Sequence, residues 1–358
     1  MHDSRLPALR RTMTARKLNA CLVTNIPDVF YLTGFTGSTA AAIITDAECS
    51  ILVDPRYTVQ AEGECAGCRV VEYVGKSTMA AAAGYLSGLP GGIVGYQADD
   101  LTVASFHSLR AATANTVSFR GAKGLVESLR RVKDPDEIEL MRKAARIADD
   151  AFAALTQEIR PGMREKEVAL LVDTTLRTLG ADKEAFETIA ASGPNSACPH
   201  ASPTDRVLQA GDFVKLDFGA RYRGYNSDIT RTLCLGTPSA KQREVYDTVL
   251  QAQLKAIEAI VPGRTGREID AVARDFISSK GYGDNFGHGL GHSLGIEVHD
   301  GPGFSRTSDV VLQPGMVMTV EPGIYIEDWG GVRIEDDVLV TETGVEILTH
   351  SSKDLLTL

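Results

Sequence analysis

The chain has 358 residues, enough for two domains, and its 43% hydrophobic and 23% charged content is ordinary for a globular protein. Its net charge of −10 is uneven. Residues 1–130 carry 12 Lys and Arg against 11 Asp and Glu (+1), and the remainder carries 25 against 36 (−11). An acidic second half argues against nucleic acid or an anionic membrane as a partner, because both repel negative charge.

Met1 to Arg5 lacks the apolar stretch of a signal peptide, and six cysteines in a chain of this length do not form a disulfide framework. We therefore expect a cytoplasmic protein. Cys65 and Cys68 form a CxxC pattern, but no second pair of cysteines or histidines lies nearby to complete a zinc site. The pattern alone is weak support for a redox or metal function.

The first 130 residues are typical of an α/β domain, in which short β-rich runs alternate with helical segments. An uncharged run from Ser77 to Gln97 is interrupted by Gly84, Gly88, Pro90-Gly91-Gly92 and Gly95, so we predict a helix, a loop and a strand there rather than a membrane span. The expected strands are 20–24, 40–45 and 50–53, and the expected helices are 6–16 and 102–114.

A long amphipathic helix should open the second domain. Asp134 is its predicted N-cap, Pro135 is its first residue, and Glu137 has the spacing of a capping box. Apolar residues then recur at steps of three and four from Ile138 to Ile159. We place the domain boundary just before this helix, which predicts domains 1–130 and 131–358.

The second domain contains an internal duplication. The sequence around Pro161-Gly162 recurs around Pro262-Gly263, at an offset of 101 residues, and each copy is followed by a helical stretch. Further along, 207–211 recurs as 311–315, at an offset of 104. Chance recurrence of Pro-Gly turns is the alternative, but two matches in the same order favour a pseudo-symmetric fold.

Carboxylates occupy corresponding strands of the two halves. If a hairpin closes at Tyr222-Arg223, then Asp217 and Asp228 face each other across its strands. In the second half, a turn centred near Asp328 would likewise bring Glu321 and Glu335 opposite each other. Any one pair is compatible with exposed strand residues, but two symmetric pairs would bring four negative charges together, which two divalent cations would neutralise.

Three of the seven histidines fall in one glycine-rich segment, as His288, His292 and His299. The glycines exclude a regular helix, so His288 and His292 are not the paired ligands of a zincin helix. Each histidine alone is compatible with a structural role. The glycine spacing does not fit a dinucleotide-binding fingerprint.

Together these motifs resemble the pita-bread metallopeptidases and, within them, the Xaa-Pro peptidases, prolidase and aminopeptidase P. The resemblance covers the whole chain, because Tyr31–Phe35 and Asp54–Tyr57 are similar to the creatinase-type N-terminal domain. It implies an α/β N-terminal domain followed by an α+β pita-bread domain with internal pseudo-two-fold symmetry. The segments that carry it in the second domain are 217–219, 227–232, 287–292, 298–299, 321–323 and 332–335.

The resemblance also implies roles for individual residues. Asp217 and Asp228 would hold one metal ion, His292 and Glu321 the other, and Asp228 and Glu335 would bridge them. The residues implied in catalysis are Glu321, His299 and His200, and those implied in substrate binding are His288, His299 and Arg333. One departure is Asp300, which stands where the family usually has Glu.

The implied function is hydrolysis of the Xaa-Pro peptide bond with two divalent ions. A ligand set of four carboxylates and one imidazole favours Mn²⁺, with Co²⁺ or Zn²⁺ as substitutes. We expect an Xaa-Pro dipeptidase, with Xaa-Pro aminopeptidase as the alternative and a catalytically silent binding module as the alternative from another class. The expected partners are a proline-containing peptide and a second copy of the chain in a homodimer. The sequence leaves open the residue preferred before proline.

Overall fold

In the computed structural model, which describes residues 4–358, the chain divides into two compact units, Met1–Arg130 and Arg131–Leu358. No helix within the described residues is both long enough and apolar enough to cross a membrane.

The N-terminal unit has the predicted α/β alternation. Its elements are α1 (Arg5–Ala15), β1 (Ala20–Val23), α2 (Ile26–Thr33), β2 (Ala41–Thr45), β3 (Cys49–Val53), α3 (Thr58–Glu64), β4 (Arg69–Glu72), α4 (Thr78–Ser87), β5 (Gly92–Tyr96), α5 (Val103–Ala112), β6 (Val117–Gly121) and α6 (Glu127–Arg130). The strands form one six-stranded mixed sheet with the order β4-β3-β2-β1-β5-β6. Strands β1, β2 and β3 pair antiparallel, whereas β3–β4, β1–β5 and β5–β6 pair parallel. The uncharged run is helix α4, a turn and strand β5.

The C-terminal unit begins with the predicted amphipathic helix. Asp134 caps it, because its side chain accepts from Glu137 N at 2.9 Å while Glu137 Oε2 accepts from Asp134 N at 2.9 Å. The helix ends at Leu155, earlier than the apolar pattern, because the following turn has i→i−3 hydrogen bonds. The elements of this unit are α7 (Pro135–Leu155), α8 (Glu165–Thr178), β7 (Lys183–Glu184), β8 (Ile189–Ser192), β9 (Phe213–Phe218), β10 (Ala220–Tyr222), β11 (Tyr225–Asn226), β12 (Ile229–Cys234), α9 (Ala240–Glu258), α10 (Gly266–Ser279), β13 (Val317–Val320), β14 (Gly323–Ile326), β15 (Gly330–Arg333), β16 (Asp336–Val340) and β17 (Val345–Ile347), with 3₁₀ turns at Gly193–Ala197 and Gly283–Asn285.

The internal duplication is present in the structure. Gly162 N donates to Leu208 O at 2.9 Å, and in the second half Gly263 N donates to Leu312 O at the same distance. Helices α8 and α10 follow these contacts at equivalent positions, and each half has its own apolar core. The two halves meet through their sheets, β12-β9-β8 and β13-β16-β17.

The register of the first hairpin differs from the prediction. Its turn is Arg223-Gly224, with φ of 48° and 88°, and Tyr222 pairs with Tyr225 across it. Two successive residues with positive φ are typical of a type I′ turn, and glycine suits the second position. Asp217 therefore pairs with Thr230 rather than with Asp228.

The register of the second hairpin agrees with the prediction. Gly323 pairs with Arg333 and Ile326 with Gly330, so the turn is centred on Asp328, which has a φ of 58°. The same register, extended to the residues just before β14 and just after β15, places Glu321 opposite Glu335.

Candidate metal centre

Strand ends of both halves carry the acidic side chains of the site. Asp217 lies near the end of β9, and Asp228 directly precedes β12. Glu321 directly follows β13, and Glu335 lies between β15 and β16. A backbone hydrogen bond from Glu335 N to Thr230 O, at 3.1 Å, joins the halves at this point.

The glycine-rich loop brings His292, the predicted histidine ligand, against β13. His292 N donates to Thr319 Oγ1 at 3.0 Å, and Thr319 N donates to His292 O at 2.8 Å. A Cβ added to Gly291 would lie 2.0 Å from Thr319 O, so only glycine permits this approach. Gly219 has the same role beside the aspartates, because its Cβ would lie 1.8 Å from Ser227 O.

All five predicted metal ligands line one cavity of about 380 Å³. Ligand atoms of Asp228, His292 and Glu335 lie within 4.8 Å of one another. His292 Nε2 is 3.5 Å from Asp228 Oδ2 and 3.5 Å from Glu321 Oε1. Asp217 instead contacts the Arg333 guanidinium.

The cluster carries more negative charge than its cations offset. Burial raises the pKa of Asp228 and Glu335 well above the usual range, and repulsion between the carboxylates adds to the rise. Burial also raises the pKa of Glu321. Arg333 supplies one positive charge, so the carboxylates need further positive charge if all are to remain ionised.

The arrangement fits a divalent metal ion. Asp217 Oδ1 and Asp228 Oδ1 are buried and have no hydrogen-bond partner within residues 4–358, which is costly for a carboxylate oxygen unless a cation binds it. His292 Nδ1 lies 3.1 Å from Ser293 O, and a carbonyl can only accept, so this nitrogen carries a proton and Nε2 is the nitrogen that faces the carboxylates and can bind a metal ion. Four oxygen donors with one imidazole suit a hard or borderline divalent ion.

Two further predicted residues, His200 and His299, are exposed and line the same cavity. The His299 ring packs edge-on against the His292 ring with centroids 4.2 Å apart. Partial desolvation, together with the imidazoles of His292 and His200, lowers the pKa of His299. A neutral His299 has one N–H to donate towards the cavity.

The other two predicted substrate-binding residues are less accessible. His288 is not among the residues that line the cavity. Its Nδ1 donates to Gly289 O at 2.7 Å, so its Nε2 accepts from the Tyr325 hydroxyl at 2.9 Å. Arg333 does line the cavity but is 2% exposed, and it donates to Tyr325, Thr230, Pro199 O and Asp217. Most of the guanidinium is therefore engaged within the protein.

Comparisons with known proteins agree with this geometry. Metallopeptidase family M24 matches residues 139–342, and the Creatinase/Prolidase N-terminal domain matches residues 5–132. The chain belongs to metallopeptidase family M24. Like other M24 metallopeptidases it is a hydrolase of peptide bonds that uses divalent metal ions, and the predicted pita-bread fold with a creatinase-type N-terminal domain is confirmed.

Several M24 relatives match over nearly their full length. An Xaa-Pro dipeptidase of Pyrococcus horikoshii is 38% identical over 350 residues, covering 96% of both chains. The structure of an Xaa-Pro dipeptidase from Bacillus anthracis superimposes with a TM-score of 0.96 at 42% identity, covering 100% of both chains. That of an X-Pro aminopeptidase from Thermotoga maritima gives 0.90 at 39% identity, covering 97% of this chain and 100% of that one.

Sequence reasoning missed several residues that shape this M24 site. Tyr325 and Thr230 both contact Arg333. Nothing in the local sequence marks Tyr325, and Thr230 lies in the motif 227–232 without being singled out from its neighbours. Lys215 is completely buried inside β9 and donates to carbonyls of the segment that carries His200. A lysine within the apolar run Phe213–Phe218 is the one signal that the sequence offered.

Proposed function

We propose that this M24 metallopeptidase is an Xaa-Pro dipeptidase with two divalent ions in its active site. The observation that carries the proposal is the convergence of five metal-ligating side chains from both halves on one cavity, with His200 and His299 beside them. Relatives that match over nearly the full length and are named for Xaa-Pro hydrolysis support the substrate class.

Two divalent ions would complement the four carboxylates, and Mn²⁺ is the ion that we propose. Asp217 and Asp228 would hold one ion, and His292 and Glu321 the other. Asp228 and Glu335 would be shared between the two. When bound, the ions polarise the scissile carbonyl and activate water.

The protein's own side chains would handle the proton and the oxyanion. The Glu321 carboxylate, whose pKa is raised by burial, accepts the proton of the attacking water and passes it to the nitrogen of the leaving proline. His299 and His200 donate N–H groups to the oxygen of the tetrahedral intermediate, where the negative charge develops. Arg333 and His288 support the pocket through Tyr325, which hydrogen-bonds to both.

Steady-state hydrolysis tests the proposal. The protein should cleave Ala-Pro faster than Ala-Pro-Ala, leave Ala-Ala almost untouched, lose activity to a chelator and regain it with Mn²⁺. A preference for Ala-Pro-Ala would favour an Xaa-Pro aminopeptidase, the activity named for the Thermotoga maritima structure. Equal rates on Ala-Pro and Ala-Ala would contradict the proposed specificity.

The remaining part of the proposal is a homodimer. Isologous pairing is the commonest arrangement among soluble oligomers. Light scattering coupled to size exclusion measures it directly, and a mass equal to that of one 38.4 kDa chain would contradict it.

A further inference from the structure

Three cysteines of the N-terminal unit lie near one another, outside the metallopeptidase chemistry. Cys49 is the first residue of β3, and Cys68 directly precedes β4. The two strands are parallel, with Ser50 opposite Arg69, so one step back along each strand brings Cys49 opposite Cys68. The cysteine beside Cys68 in the sheet is therefore Cys49, which the CxxC pattern of Cys65 and Cys68 does not indicate.

The two sulfur atoms are already in contact. The Cys68 and Cys49 sulfur atoms share a hydrogen bond and lie 2.8 Å apart. Neighbouring strands lie about 4.8 Å apart, within the roughly 4.4–6.8 Å between Cα atoms that a disulfide spans. Cys65 is buried, and its sulfur lies beside the side chain of Thr33 instead.

We propose that Cys49 and Cys68 form a redox-sensitive modification site, which closes reversibly into a disulfide when the protein meets a small-molecule disulfide. The site is separate from the peptidase chemistry and does not depend on the proposed function.

The surroundings assign the two sulfurs different roles. Cys49 is 2% exposed, whereas Cys68 is partly exposed and can be reached from solvent. A hydrogen bond from the Cys49 thiol stabilises the Cys68 thiolate and lowers the pKa of Cys68, and the charge of Arg10 acts in the same direction. Cys68 is therefore the attacking thiolate and Cys49 the resolving thiol.

The reaction balances with the small disulfide as the oxidant. The Cys68 thiolate attacks one sulfur of the small disulfide, forming a mixed disulfide and releasing one small thiolate. Cys49 then loses its proton and attacks the Cys68 sulfur, which breaks the mixed bond and releases the second small thiolate. Two protein thiols are oxidised by two electrons, and the small disulfide is reduced to two thiols that take up both protons.

The bond would fasten the edge of the sheet. Among the described strands, β4 lies at one edge of the sheet and pairs only with β3. A disulfide would close the segment from Cys49 to Cys68, which contains helix α3, and would restrict local opening of this edge.

The experiment uses the full-length, metal-loaded protein, equilibrated without oxygen in mixtures of reduced and oxidised glutathione. Samples are quenched with acid, the remaining thiols are alkylated, and tryptic peptides are mapped by mass spectrometry. We expect two of the six thiols to disappear together as the oxidised fraction rises, with peptide 18–56 joined to peptide 57–69. Adducts on the exposed Cys198 fall on a different peptide and are read separately.

Matched variants identify the sulfurs. Cys65→Ser and Cys21→Ser should both keep the cross-link, because Cys65 and Cys21 lie on the two linked peptides but do not form the proposed disulfide. Cys68→Ser should abolish it, and Cys49→Ser should trap glutathione on Cys68. Wild-type protein in which Cys49 and Cys68 stay alkylatable in oxidised glutathione alone would overturn the proposal, as would loss of the cross-link in Cys65→Ser. The peptide map of the wild-type protein tests the proposal even if a variant fails to fold.

Discussion

Replacing Lys215 by methionine should slow catalysis without removing the metal ions. Lys215 Nζ donates to Cys198 O at 2.6 Å and to Ser196 O and Pro199 O at 3.2 Å each. Burial and the charge of Arg333 lower the pKa of Lys215. Three carbonyl acceptors match the three N–H groups of an ammonium and counteract that fall, because they stabilise the charged form. The ammonium thus anchors the segment that ends in His200, a residue that we place against the oxygen of the tetrahedral intermediate.

The contacts set the expected size of the effect. Pro199 O keeps its hydrogen bond from Arg333 at 3.0 Å, so the methionine variant loses the lysine contacts to Ser196 O and Cys198 O. At roughly 1 kcal/mol for each lost hydrogen bond, the variant should be less stable by about 2 kcal/mol. A loosened His200 should lower kcat by about 10-fold, because small displacements of a contact to the transition state are costly.

A double-mutant cycle separates positioning from general destabilisation. Lys215→Met and His200→Ala should each lower kcat with little change in KM, and the double variant should be about as slow as His200→Ala alone. The measurements are Ala-Pro turnover at saturating Mn²⁺, metal content by mass spectrometry, and the thermal midpoint. Lys166→Met is the matched control, because Lys166 is exposed and pairs with Asp205 on the surface.

Two results would refute this reasoning. If the two substitutions multiplied their effects on kcat, Lys215 would act independently of His200. If Lys215→Met protein lost its metal ions, the lysine would position the nearby predicted ligand Asp217 rather than the segment that ends in His200.

Three further predictions follow from the site. Asp228→Asn and Glu335→Gln should each lose bound metal and nearly all turnover, measured by metal analysis and Ala-Pro hydrolysis; retention of both metal and activity would contradict their bridging role. His299→Ala should keep its metal but lose kcat, and an empty site would make His299 a ligand instead. Burial and the charge of Arg333 lower the pKa of His288 to about 4, so the neutral form stabilises the fold above pH 6.5 and this contribution is lost as the pH falls towards 4. Between pH 7.5 and 4.5 the free energy of unfolding of the chelated protein, measured by urea titration, should therefore fall by roughly 2 kcal/mol more than that of His288→Gln. The control His350→Gln, at an exposed histidine, should behave as wild type. Equal pH dependence in all three proteins would refute the assignment.

Much of the architecture followed from local sequence. The capping box at Asp134 and Glu137 marked the start of α7, because capping depends on a few adjacent residues. The duplication was visible because each half repeats the same turns and helices. The second hairpin was predicted correctly, since its register follows from where the turn at Asp328 is centred. The family was recognisable because its motifs are short and contiguous.

Tertiary structure decided the contacts between distant segments. Asp217 opposes Thr230 rather than Asp228 because the first hairpin turns at Arg223-Gly224, one residue later than predicted, which moves its register by two. Such a shift depends on backbone dihedral angles that residue types only bias.

The polar support of the site was also outside the reach of sequence. Arg333 reaches Tyr325, and Tyr325 reaches His288, only because separate strands and a glycine-rich loop pack together. Lys215 is buried because carbonyls from another segment surround its ammonium, and Cys49 meets Cys68 because two strands happen to pair in that register. Residue types and their order therefore specified the chemistry of the site, whereas the distances between residues far apart in the chain came from the packing of the folded protein.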